Sequence, residues 1–379
     1  MKKTIIYRQL FSNRFIIGLL IIGFPLIAFA QTIPFDSPQW DVTAETFETG
    51  TYFGKKGVFI KDGGAYLKDA QFLNGIIEFD IAVTGERGFM GVQWRVVDRK
   101  NSEEFYIRPH LSGMPDANQY TPIINGGSAW QLYHGERYSA PVNYTFNEWM
   151  HIKIVVSGQQ AEVYFMDMET PALFIPELKR EAATGTLGIT AGSGFAPAYF
   201  ADFSYQSIEK PVLKSKPVAP EIAPDGVVKH WLVSEIVESE WLADKYQLND
   251  NALKHLHWTR LNSEVTGITN LSRVQAYTRE KNTVFCKLVI QSETDQVKQL
   301  RFGYSDDVKV YVNGTLTYGG TNRYLSRDYR YLGTIGLFDE LYLKLHKGEN
   351  TILFAVSERF GGWGIIAAFA DANNITLSE

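Results

Sequence analysis

The residues with the clearest chemical potential lie in one loop-rich stretch, residues 103–135. Aromatic rings and planar hydrogen-bond donors are concentrated there between strand-like runs: Tyr106, Arg108, His110, Tyr120, Trp130, Tyr133 and His134. Aromatic rings present large rigid apolar faces, and guanidinium and imidazole groups donate hydrogen bonds in fixed directions. Together these groups suit a surface that binds a hydroxyl-rich ligand.

We predict a ligand-binding face built from this stretch and the strand before it. Its candidate residues are Trp94, Arg95, Tyr106, Arg108, His110, Trp130, Gln131, Tyr133 and His134. Sugars stack their C–H faces on rings and pair their hydroxyls with Arg, Gln and His. A purely structural interpretation stays open, because alternation places Tyr106 and Arg108 on one face of a strand and Phe105 and Ile107 on the other, and one face must be core.

Catalysis has no recognisable signature in this stretch. Glycoside hydrolysis usually needs two carboxylates, and the available ones show no pairing: Glu78, Asp80, Asp98, Glu103, Glu104, Asp116 and Glu136. His110 or His134 could serve as a general base, but no sequence feature selects either. The catalytic residues therefore stay unassigned.

The N-terminal 30 residues are typical of a signal peptide. Four basic residues precede an uncharged, mostly apolar run over residues 15–30, which ends in the small-x-small pattern Ala28-Phe29-Ala30. The run has 16 residues, whereas a membrane-spanning helix needs about 20. Cleavage before Gln31 is therefore favoured over retention as an anchor. We expect an exported chain, secreted, periplasmic or at the cell surface, with no membrane span after cleavage.

Charge and cysteine usage restrict the classes of partner and chemistry. The formal net charge of −5 falls to −9 when the four basic residues of the leader are removed. An acidic surface argues against nucleic acid and anionic membranes as partners. Cys286 is the only cysteine, so we expect no internal disulfide, and its strand-like context indicates a buried hydrophobic residue rather than a nucleophile.

A proline-rich segment, residues 210–226, predicts an extended and semi-rigid linker. It separates a first domain over residues 33–209 from a second over residues 227–379. Short strand-like runs and turn signals predict an all-β fold with two antiparallel β-sandwich domains. Hairpins are expected around Ser157–Gln160 and at Asn313-Gly314. The run LYLKLHKGENTILFAV indicates another pair of strands.

The first domain resembles the concanavalin A-like lectin/glucanase sandwiches, including laminin-G-type modules. The resemblance lies in NGIIEFDIAV, FMGVQWRVVD, the hairpin over residues 149–167, GTLGITAG and AYFADFSY. Residues 74–108 also resemble sugar-processing domains of the keto-disaccharide hydrolase type. Family 16 glucanases of this fold use a Glu-x-Asp-x-x-Glu strand. Here Glu78-Phe79-Asp80 is followed by Ile81, Ala82 and Val83, so the third acid is missing and the resemblance does not extend to endoglucanase chemistry.

The second domain resembles the galactose-binding-like jelly rolls that accompany many exported glycosidases. The resemblance lies in WLVS (231–234), GYSDDVKVYVNG (303–314), LHKGENTILFAV and GGWG (361–364). It implies a carbohydrate-associated role. We expect the GGWG segment to turn the chain and pack Trp363 against the sheet.

Two acidic residues in the second domain are candidate ligands for a structural calcium ion. Asp306 and Asp307 precede a strand, and Ca²⁺ takes carboxylate and backbone oxygens. A turn in which Asp accepts backbone hydrogen bonds is the alternative. No other cofactor is expected. A second aromatic-basic cluster, residues 323–330, is read mainly as surface Arg–Asp pairing, with a ligand rim or a domain interface as the alternative.

Three functions remain open at the level of sequence. The leading hypothesis is an exported carbohydrate-binding or glycan-associated protein that uses the face described above. The second is a saccharide hydrolase or lyase that acts on the same face. The third is an adhesion or scaffold module with protein partners.

Overall fold

The computed structural model describes Met1, residues 31–248 and residues 250–378. The predicted signal peptide, apart from Met1, lies outside the described residues. Within the described residues, no helix is both long and apolar enough to cross a membrane.

Residues 31–207 form two antiparallel sheets. Their strands are β1 Gln31–Thr32, β2 Trp40–Val42, β3 Thr46–Tyr52, β4 Lys55–Lys61, β5 Gly63–Leu67, β6 Gly75–Ala82, β7 Met90–Asp98, β8 Asn101–Ile107, β9 Asn118–Ile124, β10 Gly127–Ser128, β11 Met150–Ser157, β12 Gln160–Phe165, β13 Leu173–Ile175, β14 Thr186–Ala191 and β15 Ala198–Ser207. A 3-10 helix, Pro109–Leu111, follows β8.

The two sheets pack face to face as the first sandwich. The back sheet has the order β13-β12-β11-β6-β15-β4-β3, with β1 paired to β15, and the groove sheet has the order β10-β9-β8-β7-β14-β5-β2. Side chains from both sheets meet in one hydrophobic core, which includes Phe79 and Phe200 of the back sheet and Val92 and Phe105 of the groove sheet. The predicted hairpin over residues 149–167 is confirmed, because β11 pairs with β12 around its turn.

Strand β8 divides its side chains between the core and the opposite face. Phe105 and Ile107 are fully buried members of the core. The alternating residues Glu104 and Tyr106 point to the other side of the groove sheet and line a groove there. This is the period of two that the sequence predicts for a half-buried strand. Because Phe105 and Ile107 are packed in the core, the positions of Glu104 and Tyr106 on the opposite face of β8 are fixed.

Residues 228–377 form a second pair of antiparallel sheets. Their strands are β16 His230–Ser234, β17 Val237–Glu238, β18 Trp258–Asn262, β19 Thr269–Asn270, β20 Lys281–Ser292, β21 Gln296–Ser305, β22 Asp307–Val312, β23 Thr315–Thr321, β24 Asp339–Leu345, β25 Gly348–Ser357, β26 Gly364–Phe369 and β27 Ile375–Leu377. Short helices lie at Ser239–Leu242 and Leu271–Arg273 (3-10) and at Asp250–Leu253 (α1).

The second sandwich packs a large sheet against a small one. The large sheet has the order β18-β16-β20-β25-β22-β23, with β17 and β27 also paired to β20, and the small sheet has the order β19-β26-β21-β24. The predicted turn Asn313-Gly314 joins β22 to β23, with positive φ at both residues. Both strands of LYLKLHKGENTILFAV exist, but β24 lies in the small sheet and β25 in the large one. Trp363 is 1% exposed, in agreement with its predicted packing role.

The all-β prediction of two antiparallel sandwiches is confirmed by these four sheets. Cys286 is buried within the second core, as its strand context predicts, and burial raises the pKa of its thiol. The exact domain boundaries stay a prediction.

The proline-rich segment runs along the first sandwich. The backbone N–H of Lys214 donates to the carboxylate of Glu162 at 3.0 Å. Farther along, Arg137 donates to the backbone oxygen of Ala219 at 2.6 Å and pairs with Glu221 at 3.7 Å. These contacts fix much of the segment to the surface of the first sandwich.

We predict that the two faces of β8 differ sharply in their effect on stability. Phe105→Ala should lower the free energy of unfolding by about 3–5 kcal/mol, because it removes a fully buried ring and leaves a cavity. Tyr106→Phe removes only one hydrogen-bonding hydroxyl, so its loss should stay below about 1.5 kcal/mol. Urea unfolding followed by fluorescence measures both, and equal losses would contradict this division of the strand.

Candidate functional site

A groove of about 590 Å³ lies between the outer face of the groove sheet and loops of the second sandwich. Its floor carries polar and aromatic side chains of β5, β8 and β14, among them Tyr66, Glu104, Tyr106 and Thr190. Its remaining walls include Arg87, Phe89, Arg108, His110, Asp116, Trp130 and Phe195 from the first sandwich and Tyr277, Tyr324, Arg359 and Phe360 from the second. The site is therefore shared by both halves of the chain.

Glu104 is the carboxyl group on the floor of the groove. Its Oε1 accepts hydrogen bonds from Nε2 of Gln93 at 3.0 Å and from the hydroxyl of Thr190 at 3.4 Å. Burial raises the pKa of Glu104 above its usual range, although both hydrogen bonds act in the opposite direction. This carboxyl group consequently retains its proton more readily than an exposed glutamate does.

Arg108 places a guanidinium group beside the groove floor, and its side chain is only 5% exposed. Nη1 donates to the backbone oxygens of Asp116 at 2.9 Å and Asn118 at 3.3 Å. Nη2 donates to the hydroxyl of Tyr106 at 3.1 Å and to Oε1 of Gln119 at 3.4 Å. These bonds hold the planar group in one orientation.

An aromatic wall crosses from one sandwich to the other. The ring of Trp130 meets Tyr324 at 6.4 Å and Phe360 at 6.1 Å between centroids, both edge to face. Tyr324 and Phe360 also contact each other at 6.1 Å. The guanidinium carbon of Arg108 lies 5.6 Å from the Trp130 ring. The wall therefore presents apolar surface directly beside a cation.

His110 and Arg87 lie together in the groove lining. The His110 ring packs on Phe89 at 5.5 Å, and its Nδ1 has no hydrogen-bond partner in the described part of the chain. Burial lowers the pKa of His110, and the positive charges of Arg87 and Arg108 lower it further. Arg87 lies 5.9 Å from the ring of Phe89 and 5.6 Å from that of Phe195.

The structure divides the predicted ligand-binding residues into three groups. Tyr106, Arg108, His110 and Trp130 line the groove. Gln131, Tyr133 and His134 instead line a smaller cavity of about 210 Å³ between the sandwiches. Trp94 and Arg95 lie in neither. The side chains of the predicted residues therefore face in different directions.

Trp94 and Arg95 are buried in the first sandwich, so we remove them from the ligand site. Trp94 is fully buried in the core. The side chain of Arg95 is also fully buried and donates to the backbone oxygens of Leu73 at 2.7 Å and Gly158 at 2.6 Å. Both residues belong to β7, whose pairing with β8 shifts register between Trp94 and Asp98. Arg95 lies within this interval and has a φ of 50°. Such an irregularity interrupts the regular alternation of side chains along the strand.

Gln131 and Tyr133 connect the two sandwiches. Nε2 of Gln131 donates to the backbone oxygen of Leu332 at 2.7 Å. The backbone N–H of Gln131 donates to the backbone oxygen of Gly361 at 2.9 Å. The hydroxyl of Tyr133 donates to the carboxylate of Glu264. The polar groups that suggested sugar recognition therefore make interdomain contacts at these positions. His134 is half-buried, and burial lowers its pKa.

A buried lysine forms an ionic centre at the same interface. The side chain of Lys179 is 2% exposed and pairs with Glu264 at 2.9 Å and Glu177 at 2.7 Å. Glu221 of the proline-rich segment lies 4.0 Å away. Burial alone would lower the pKa of Lys179, but the surrounding acidic groups raise it overall. Lys179 therefore remains charged and ties the first sandwich, the linker and the second sandwich together.

Among the candidate carboxylates, Glu104 and Asp116 line the groove. Glu78 and Asp80 lie on the back sheet beside His151, at 3.6 Å and 2.6 Å respectively. Glu103 is buried and accepts a hydrogen bond from Tyr120 at 2.7 Å. Of these carboxylates, strand alternation alone could have identified Glu104 as a groove residue, because it lies two residues before Tyr106 on the same face of β8. No local signal identifies Tyr66, Arg87, Tyr277 or Phe360, because distant segments bring them to the groove.

Asp306 and Asp307 fix a groove loop of the second sandwich. Oδ2 of Asp306 accepts the backbone N–H groups of Arg359 and Phe360, both at 2.8 Å. Asp307 pairs with Arg359 at 3.0 Å and with Arg323. Two guanidinium groups at one carboxylate disfavour a cation, so this donor set does not fit calcium. In the described ranges, no cluster of three or more His, Cys, Asp or Glu residues could hold a metal ion.

The comparisons with known proteins give only distant likenesses. The sequence matches no protein-family model and no curated protein. The carbohydrate-binding module CBM66 from Bacillus subtilis aligns at 18% identity and a TM-score of 0.33, over 45% of this chain and 96% of that chain. A Bacillus subtilis protein with a galectin-like fold aligns at 10% identity and a TM-score of 0.31, over 48% and 100%. Likenesses at this level identify neither a ligand nor an activity.

We predict that Lys179 is essential to the docking of the two sandwiches. Lys179→Met should lower the free energy of unfolding by about 1–3 kcal/mol, because it leaves the partly buried carboxylate of Glu264 without its cation. Replacing Lys214, which pairs with Glu169 at 2.6 Å on the exposed surface, by Met should cost less than about 1 kcal/mol. Thermal and urea unfolding compare the two variants. A small and equal effect would show that the interface does not depend on this ion pair.

Proposed function

We propose that this chain is an exported carbohydrate-binding protein that holds its ligand in the groove between its two sandwiches. The observation that carries the proposal is the convergence of aromatic rings and fixed planar donors on one groove of about 590 Å³. This volume lies within the range of small-molecule sites, roughly 300–1,000 Å³. Rings can stack on the C–H faces of a sugar while the donors satisfy its hydroxyls.

The proposed site extends the predicted face to the second sandwich. Trp130, Tyr324 and Phe360 would provide the stacking surface, and Arg108 and His110 would provide polar contacts. His110 lines the groove; because its Nδ1 is buried without a partner among the described residues, Nε2 would make the contact to the ligand. The pKa of this imidazole is lowered, so the ring is neutral near pH 7 and offers one donor and one acceptor. A ligand that touches both sandwiches would stabilise their docking.

We predict that the mature chain, residues 31–379, gains thermal stability with a subset of oligosaccharides and polysaccharides. A ligand that binds only the folded state adds about 2.7 kcal/mol at 100 times its dissociation constant. Trp130→Ala should weaken binding at least about tenfold, or about 1.4 kcal/mol, because it removes the centre of the aromatic wall. Differential scanning calorimetry and titration calorimetry measure the two effects.

The matched control is Trp241→Ala. Trp241 is 38% exposed on the second sandwich and contacts Phe285 outside the groove, so its loss should leave binding unchanged. The absence of any shift across a broad saccharide panel would sink the proposal and favour the protein-binding alternative. An equal loss of binding in both tryptophan variants would move the site away from the groove.

Saccharide hydrolysis or lyase chemistry in the same groove is the second candidate function. The specific observation in its favour is Glu104, whose buried position raises its pKa while it faces the groove. A carboxyl group whose pKa is raised can serve as a general acid. Asp116 is a second acidic residue in the lining.

For the enzymatic candidate, we predict that Glu104→Gln lowers turnover by about 100-fold or more while binding persists, because the amide cannot donate a proton as the acid does. Reducing-sugar release and ultraviolet detection of unsaturated products measure hydrolysis and elimination. Glu136→Gln, at an exposed position outside the groove lining, is the control and should retain full turnover. If wild-type protein releases no product from any saccharide it binds, the chain binds without catalysis.

A further inference from the structure

Arg108 is a buried cation without an anionic partner. Its four hydrogen bonds all go to neutral acceptors, and Nε makes none among the described residues. Two enclosed lysines are compensated by carboxylates: Lys179 by Glu264 and Glu177, and Lys298 by Asp371 at 2.5 Å. Arg108 departs from this pattern at the one place where it borders a groove.

Arg95 provides the informative comparison. It too is buried and bonded to neutral oxygens, but it lies in the protein interior, where burial lowers its pKa and the charge of Glu103 acts against that shift. A buried charge is costly unless a counter-charge or hydrogen bonds compensate it. At Arg95 the interior supplies a partial offset through Glu103. At Arg108 the open side of the site is the groove itself, where a ligand can supply it.

A second free arginine lines the same groove. Arg87 is exposed, its side chain makes no ion pair among the described residues, and its guanidinium lies near the rings of Phe89 and Phe195. Arg359, also in the lining, is already balanced by Asp307 at 3.0 Å. The positive field of Arg87 and Arg108 reaches the intervening imidazole, since both charges lower the pKa of His110.

The carboxyl groups of the groove do not cancel this field fully. The pKa of Glu104 is raised by burial, which favours its neutral form. The described residues place no carboxylate in an ion pair with Arg108, although the backbone oxygen of Asp116 accepts one of its hydrogen bonds. A positive site on a chain of net charge −5 attracts anions locally even though the whole surface is acidic.

We propose that the groove selects an anionic saccharide, one that carries a carboxylate or a sulfate group, and that Arg108 receives this group with assistance from Arg87. Arg87, whose side chain makes no hydrogen bond among the described residues, can offer either anion two parallel hydrogen bonds, and Arg108, whose four Nη protons already bond protein acceptors, can add one from Nε. Trp130 and the other rings then hold the sugar that carries the charge. This inference rests on the proposed saccharide-binding function and specifies its ligand class.

The test compares charged saccharides with matched neutral ones on the mature full chain. Oligogalacturonate is paired with its methyl ester, and a sulfated galactan oligosaccharide with its desulfated form. Titration calorimetry should show at least about tenfold tighter binding for the charged member of one pair, and that pair identifies the anion as carboxylate or sulfate. Raising the salt concentration from about 0.01 M to about 1 M should weaken this preference, because salt screens the charges.

Substitutions of the arginines test which of them cause the preference for the charged saccharide. Arg108→Gln should bring the affinity ratio of charged to neutral ligand close to one, and Arg108→Lys should retain part of it. Arg87→Gln, at an exposed position that does not threaten folding, should reduce the ratio severalfold. Arg330→Gln is the control, because Arg330 pairs with Asp328 at 3.2 Å outside the groove lining, and should leave the ratio unchanged.

The outcomes distinguish the proposed saccharide binding from the inferred selection of an anionic saccharide. Equal binding of charged and neutral saccharides by the wild type overturns the anion inference and leaves saccharide binding intact. A preference that survives in both Arg108→Gln and Arg87→Gln also overturns it. Binding of no saccharide at all, charged or neutral, overturns the proposed function together with the inference.

Discussion

The groove exists only while the two sandwiches remain docked, because each contributes one side of it. Specific polar contacts join the two sandwiches. Lys179 pairs with Glu264, the side chain of Gln131 bonds the backbone of Leu332, and Nδ2 of Asn125 donates to the backbone oxygen of Ser272 at 2.8 Å. Such contacts require specific geometry, since an unpaired buried polar group is costly. The orientation of the two groove walls is therefore strongly defined.

One short segment after β10 serves both docking and the groove. Trp130 faces the groove, whereas Gln131 and Tyr133 bond the second sandwich. The residue that provides the stacking surface is therefore adjacent in the chain to residues that form the interface. A change that loosens the interface would also displace the Trp130 ring, so ligand binding and docking are coupled through adjacent residues. This explains why residues that resemble one sugar-binding cluster in the sequence separate into two roles in the structure.

Local sequence patterns predicted the elements of the fold well. Alternation along β8 correctly separates Phe105 and Ile107 from Tyr106, and Asn313-Gly314 marks a hairpin because few residue pairs adopt that turn. The candidate site was predicted only in part. Strand irregularity sends Arg95 into the interior, and Tyr324 reaches the groove through a contact with Trp130 across the domain boundary. Neither effect leaves a signal in the neighbouring residues, since both depend on packing between distant segments.

The attachment of the proline-rich segment to the first sandwich changes the kinetics of docking. Glu221 is held by Arg137, and the backbone oxygen of Gly226 accepts a hydrogen bond from Phe369 of the second sandwich at 2.9 Å. Only residues 222–225 lie between these fixed points. A tether this short keeps a separated second sandwich at an effective concentration on the order of millimolar near its docking surface. Reassembly of the groove is then a unimolecular event, and its rate is independent of the protein concentration.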